Sequence, residues 1–277
     1  MKEGQTLKQR VISGALLIAL VILCMILSPY TRILLFTAAA ILSVRELKNV
    51  LRLRDIKCVD WAIYFFIAGE TALTTINVTT PVNFPYYLAV LFLAMFFATM
   101  AGILDEKVHG PGALCTEGIL LYPMFLYAAI TYIGVSDGWI ATFVIACLGT
   151  WICDSFALFG GKAFGKHKVA PYVSPHKTVE GCICGALSSL PAGVLSYYLL
   201  GVLGVNNVPM WLFVTASLVA SSFGQVGDLA ASLLKRMVGI KDYSNLIPGH
   251  GGMMDRADSL LFSIPVAWFC LYIAGAL

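Results

Sequence analysis

Charge is the scarcest commodity in this sequence. Of 277 residues only 12% are Asp, Glu, Lys or Arg, while 59% are apolar and the mean hydropathy is +0.86. A soluble domain carries about 25% charged residues. A water-soluble fold of this length could not hide so much apolar surface, so the bilayer must be its main solvent. Paired cysteine motifs are also missing. The eight cysteines (Cys24, Cys58, Cys115, Cys147, Cys153, Cys182, Cys184 and Cys270) form no CxxC pair and no small-domain disulfide spacing. That excludes zinc ribbons and disulfide scaffolds and leaves small side chains embedded in the membrane. Internal repeats, low-complexity stretches and a separate soluble domain are absent. No small-residue cleavage site follows the first apolar run, so that run is expected to remain as a helix.

What is abundant is long apolar sequence. A spanning helix needs about 20 largely apolar residues. Nine candidates satisfy this, at 11–29, 31–47, 58–77, 85–104, 117–135, 138–159, 179–204, 209–234 and 257–277. The expected fold class is therefore all-α, a polytopic integral membrane protein of about nine helices in a single membrane domain, 1–277. Residues 1–150 supply its N-terminal helices, and 151–277 its catalytic helices and loops. With a cytoplasmic N-terminus, 17 of the 18 basic residues fall on the cytoplasmic side, and only Arg32 lies outside. Such segregation follows the positive-inside rule and supports both the helix count and the orientation.

The chemistry-bearing residues gather near the end of the chain. In the eighth candidate, Gln225, Asp228, Ser232 and Lys235 are spaced three, four and three apart, which places them on one helical face. Asp228 lies about 28 Å along that helix from Pro209, at the inner edge of the hydrocarbon. By the same rise Asp154 lies about 24 Å into the sixth candidate. Glu180 opens the seventh candidate, and Asp255 and Asp258 open the ninth. Five acids at one depth repel one another unless cations neutralise them. A hard divalent ion with oxygen ligands, most simply Mg2+, does this best and suits phosphate chemistry.

Two stretches supply the opposite charge. The loop 160–181, GGKAFGKHKVAPYVSPHKTVEG, carries Lys162, Lys166, Lys168 and Lys177. Its Ser174, Thr178 and the N–H groups opening the next helix are suited to phosphate oxygens. It is not a Walker A loop, because GxxxxGK[ST] is absent. The stretch 232–258, SLLKRMVGIKDYSNLIPGHGGMMDRAD, sets Lys235, Arg236, Lys241 and Arg256 around Asp242, His250, Asp255 and Asp258. Basic clamps beside metal-binding acids are the equipment of phosphoryl or nucleotidyl transfer.

The second stretch closely resembles the signature of the phosphatidate cytidylyltransferases, or CDP-diacylglycerol synthases, S-x-x-K-R-x4-K-D-x-[GSA]-x2-[LIF]-[PG]-x-H-G-G-x2-D-R-x-D. Ser232, Lys235, Arg236, Lys241, Asp242, Ser244, Ile247, Pro248, His250, Gly251, Gly252, Asp255, Arg256 and Asp258 meet it. Asp154-Ser155, FGKHK (164–168) and SPHKTVEG (174–181) also look like this family. Ala257, Phe156 and His176 depart from it without replacing a charged position.

The resemblance implies transfer of CMP from CTP to phosphatidate, with pyrophosphate released. It implies Mg2+ on Asp228 and Asp255, joined by Asp154, with Asp228, Asp255, Lys235 and Arg236 as the catalytic set. Phosphate clamping would fall to Lys235, Arg236, Lys241 and Arg256. Ser174, Lys177, Thr178 and Glu180 would form the other wall. Ser232, Asp242, His250, Gly251, Gly252 and Asp258 complete the substrate site. The implied partners are CTP, phosphatidate, the lipid bilayer and a second copy in a homodimer, with no nucleic acid. The implied location is the cytoplasmic (inner) membrane, with the site facing the cytoplasm.

Two rivals remain at this stage. A CTP-dependent polyprenol kinase would move the γ-phosphate to an alcohol. An ion or proton transporter would use Asp228, Glu180 and Glu70 as a relay, but it predicts acids spread through the membrane depth, and these cluster at one edge. A CDP-alcohol phosphatidyltransferase is disfavoured, because DGxxAR…GxxxDxxxD is absent.

Overall fold

The computed structural model of the chain describes residues 7–204, 208–246 and 251–277, with side chains from Gly14 onward. Its helices are α1 (Leu7–Leu27), α2 (Pro29–Arg52), α3 (Asp60–Asn77), α4 (Phe84–Leu104), α5 (His109–Ile119), α6 (Phe125–Val135), α7 (Trp139–Phe164), α8 (Val179–Val202), α9 (Met210–Met237) and α10 (Met254–Ile273). A kink at Leu120–Met124, where Tyr122 is extended (φ −144°, ψ 117°) before Pro123, joins α5 to α6, so the two continue as one bent rod. Among the described residues the chain thus forms nine helical rods, as the hydropathy pattern predicts.

Six rods are long and apolar enough to cross a membrane: α4, the α5–α6 rod, α7, α8, α9 and α10. The described side chains of α1 begin at Gly14, and Gly14–Leu27 is apolar. The next two rods fall short for local reasons. In α2 the last turns carry Arg45, Glu46, Lys48 and Arg52. In α3, Asp60, Glu70, three threonines and Asn77 dilute 18 residues.

Several ends differ from the hydropathy boundaries. The second helix runs on to Arg52, the fifth rod starts at His109 and the sixth candidate extends to Phe164. Charged and glycine-containing turns continue a helix that apolar counting cuts short. The segment 160–181, read from sequence as a loop, ends instead in a small hairpin. There β1 (Lys168–Ala170) pairs antiparallel with β2 (Ser174–Thr178), Lys168 opposite Thr178 and Ala170 opposite Ser174.

The chain groups into two compact units. One comprises Met1–Val135 and Asp242–Arg256. Its turn between α1 and α2 is set by a capping box, in which the Ser28 side chain accepts from the Thr31 N–H and Thr31 Oγ1 accepts from the Ser28 N–H. Pro29 follows at the first helical position, where its missing N–H costs nothing. Arg32, the one basic residue outside the expected segregation, is buried and donates from Nη1 to the Met25 carbonyl in the last turn of α1. It therefore caps a helix C-terminus. Polar side chains also join the helices: Ser43 Oγ and Tyr127 Oη lie 2.8 Å apart, and the Val59 N–H donates to Thr116 Oγ1. Glu70 is 2% exposed on α3, and among the described residues its hydrogen bond is from Thr71 Oγ1, at 3.4 Å.

The other unit comprises Ser136–Lys241 and Ala257–Leu277. Helix α8 packs on both α7 and α9 through a small-residue face. A Cβ on Gly185 would lie 2.7 Å from the Cys153 carbonyl of α7, and one on Gly193 would lie 2.5 Å from Val214 Cα of α9. In a bilayer, where apolar burial drives little association, such close backbone approach is a main source of helix–helix contact. It brings the acid-bearing faces of α7 and α9 into register.

Candidate active site

Within the second unit the acid face of α9 forms as its spacing requires. Gln225, Ser232 and Lys235 are buried along it, and Asp228 is half-exposed between them. Gln225 Nε2 donates to the Cys182 carbonyl of α8 and to Cys153 Sγ of α7, both at 3.1 Å. That one side chain ties three helices together a turn away from Asp228.

Lys177 reaches in from β2, its Nζ 2.7 Å from Asp228 Oδ2, with both side chains about a quarter to a third exposed. Ser232 Oγ lies 3.4 Å from Asp228 Oδ1. Asp154 on α7 is within Coulombic range of both the Asp228 carboxylate and the Lys177 ammonium. Three sequence-predicted residues, Asp154, Lys177 and Asp228, are therefore brought together.

The hairpin that carries Lys177 is held at both ends. At its base the Thr178 side chain caps α8 by accepting from the Gly181 N–H. Glu180 accepts from the Lys166 and His167 N–H groups, and its Oε1 lies 2.6 Å from His167 Nδ1. At the tip, Arg236 Nε donates to the Val173 carbonyl and Nη1 to the Ile240 carbonyl. Thr178, Glu180 and Arg236 are thus engaged in building the wall as much as in facing a substrate. Ser174 begins β2 and is half-buried.

The signature stretch is divided between the units, with Asp242–Arg256 in the first and its two ends in the second. Asp255 lies in the first turn of α10, and its Oδ2 accepts from the Tyr243 and Gly252 N–H groups at 2.9 and 3.0 Å. Gly251 has φ +81°, in the left-handed region that favours glycine. Lys241, Asp242 and Arg256 are exposed, and Asp258 is 9% exposed. His250 lies outside the described residues. Asp228 and Asp255 fall in different units, and each is described within its own.

Glu46 is the residue that sequence reasoning missed. It is 5% exposed on α2. Its carboxylate accepts from Ser244 Oγ at 2.6 Å, from the Met253 N–H at 2.8 Å and from the Met254 N–H at 2.9 Å. Gly252 lies against it so tightly that a Cβ there would come within 2.6 Å of both carboxylate oxygens. A carboxylate at the N-terminus of α10 satisfies orphan N–H groups and complements the helix dipole. The available signal was an acid just before a helix's basic end, which reads equally as surface charge.

Among the described residues no three His, Cys, Asp or Glu side chains converge on one point. A hard cation such as magnesium takes one or two carboxylates and fills its shell with water and substrate phosphates. Asp154 and Asp228 offer oxygen donors of that kind.

Together these features define a polytopic membrane enzyme with paired acids and a lysine on a clamped hairpin. The sequence pattern of the cytidylyltransferase family matches residues 8–274, and the chain belongs to that family. A phosphatidate cytidylyltransferase of Staphylococcus haemolyticus is 30% identical over 261 residues, 91% of this chain and 94% of that protein. The phosphatidate cytidylyltransferase of Staphylococcus saprophyticus is 36% identical over 151 residues, 51% of this chain and 56% of that one.

Proposed function

We infer that this chain transfers CMP from CTP to phosphatidate, giving CDP-diacylglycerol and pyrophosphate. A phosphate oxygen of phosphatidate attacks the α-phosphorus of CTP. A new P–O–P bond forms, the bond to the bridging oxygen of the β-phosphate breaks, and its electron pair leaves with pyrophosphate. The nucleophile is already an anion near neutral pH, because the second ionisation of a phosphate monoester lies at about 6. No general base is needed, and catalysis reduces to positioning and charge neutralisation.

Lys177 supplies positive charge to the incoming phosphates. Asp228 orients Lys177, and Asp154 and Asp228 together would hold Mg2+. Magnesium bound there supplies charge neutralisation for the departing pyrophosphate. Asp255 would be a further ligand, and Lys235, Lys241 and Arg256 would be phosphate clamps. The site would face the cytoplasm at the inner membrane, where CTP is available, and the assembly would be a homodimer.

The observation that carries the reading is the Lys177–Asp228 pair beside Asp154, in a chain that belongs to the cytidylyltransferase family. Pyrophosphate release by the purified protein tests it. Release should require CTP, phosphatidate and magnesium together. Asp228→Asn and Lys177→Met should each lower kcat by about 100-fold or more, the usual effect of removing one electrostatic stabiliser. A folded Asp228→Asn variant that keeps full activity at ordinary magnesium would remove Asp228 from the ligand set.

A further inference from the structure

The first unit holds a cavity of about 830 Å3 at the ends of its helices, where α2 ends, α3 begins and α4 turns into α5. Four cations line it, Lys48, Arg52, Lys57 and Lys107, together with His109. Two carboxylates share the rim, Asp55 and Asp60, so the cavity keeps a surplus of positive charge. Lys48 is already engaged: its Nζ is 2.5 Å from Asp60 Oδ2 and 5.3 Å from the centre of the Tyr64 ring. The head groups of Arg52, Lys57 and Lys107 have no hydrogen bond or ion pair among the described residues. Three cations without an ion pair among the described residues, with Asp55 the one further carboxylate in the lining, leave the concavity a net positive charge that suits an anion.

The backbone gives a second indication. Among the described residues, the non-glycine positions with positive φ are Asp55 (+57°) and His109 (+53°). Both line this cavity. Asp and His tolerate the left-handed region better than most residues, yet such conformations concentrate at binding sites. The surroundings indicate what kind of anion is taken. Leu53, Trp61, Ile103 and Leu104 flank the cavity in sequence and are exposed, Leu104 at 79%. In a chain that spans a bilayer these apolar surfaces face lipid, and tryptophan favours the headgroup level. The cations therefore lie at the depth of lipid phosphates.

We propose that this cavity binds the phosphate headgroup of an anionic phospholipid, through Arg52, Lys57 and Lys107 with Lys48 beneath them. None of these residues belongs to the unit that carries Asp154, Lys177 and Asp228. The orientation proposed above makes the leaflet cytoplasmic. The chemistry recognised is the phosphate anion, and the acyl chains lie along the exposed apolar residues.

Native mass spectrometry of the full chain in neutral detergent tests the site, with phosphatidylglycerol as probe. That lipid is neither substrate nor product of the proposed reaction, so the result is independent of it. The wild type should bind one phosphatidylglycerol saturably and phosphatidylcholine far more weakly. At roughly fivefold per basic residue at a membrane surface, the triple variant Arg52→Gln/Lys57→Gln/Lys107→Gln should bind about 100-fold more weakly. The charge-retaining variant Arg52→Lys/Lys57→Arg/Lys107→Arg should stay within a few-fold of wild type. Equal binding by the neutralised and wild-type proteins overturns the site. Equal binding of phosphatidylcholine overturns the headgroup assignment. Inorganic phosphate displacing the lipid at comparable concentration assigns the cavity to free phosphate and overturns the lipid. Should the neutralised protein not fold, a salt titration of the wild type decides: affinity must fall steeply as salt rises, and salt-independent binding overturns the proposal.

Discussion

Replacing Glu46 by alanine removes three acceptor contacts at once. Ser244 loses its partner, and the Met253 and Met254 N–H groups are left without theirs at the buried start of α10. An unsatisfied buried donor costs about 1–3 kcal/mol, and loss of a helix N-terminal acceptor about 1 kcal/mol. Water entering the space left by the side chain offsets part of this, so the local loss should be about 3 kcal/mol. If the signature turn must be ordered for turnover, its ordered fraction falls by up to about 100-fold. Glu46→Gln keeps one acceptor oxygen but points an amide at a donor, for a loss of about 1–2 kcal/mol and roughly tenfold. Ser244→Ala removes a single contact and should cost only a few-fold. The assay is kcat/KM for CMP transfer, paired with hydrogen exchange at the Met253 and Met254 amides. Activity and protection should fall together in the order Ala, Gln, Ser244→Ala. A folded Glu46→Ala variant within twofold of wild type would refute the reasoning. So would lost activity with unchanged protection of those two amides.

Two further outcomes follow from the same geometry. Gly252→Ala drives a Cβ against both Glu46 oxygens and should cost about 1–3 kcal/mol, read as a lower melting temperature, while Gly110→Ala, which meets nothing within 4 Å, should be neutral. Single cysteines at His167 and Asn245, both exposed, on a background without reactive cysteine should resist an impermeant thiol reagent in intact cells. A cysteine at Thr80 should react, and the reverse pattern would invert the proposed orientation.

Much of this arrangement was legible in the chain itself. Apolar run lengths gave the nine rods, because a bilayer imposes a length that sequence displays directly. The three-four-three spacing placed Gln225, Asp228, Ser232 and Lys235 on one face of α9, since helical periodicity needs no tertiary information. Helix rise put five acids, Asp154, Glu180, Asp228, Asp255 and Asp258, at one depth in expectation; of these, Asp154 and Asp228 are electrostatic neighbours in the structure, with Lys177 paired to Asp228. What stayed hidden was long-range. Glu46 contacts residues some 200 positions away, and no local pattern marks an acid as the acceptor for a distant turn. The hairpin at 168–178 was hidden in a Gly- and Lys-rich segment whose strands are only three and five residues long, too short to show alternation. Arg236 reads as a phosphate clamp from its company, whereas its donors go to the Val173 and Ile240 carbonyls. Residue type announced charge, and geometry decided where the charge was spent.

The central claim is attack at the α-phosphorus of CTP by a lipid phosphate, and the fate of isotopic label tests it most directly. Purified protein with phosphatidate and magnesium is given CTP labelled in either the α- or the γ-phosphate, and the organic phase is counted. The α-label should enter the lipid only when phosphatidate and magnesium are both present, and the γ-label should stay in water as pyrophosphate. Label reaching lipid from the γ-position alone would contradict the account and point to a kinase acting on a polyprenol-type alcohol.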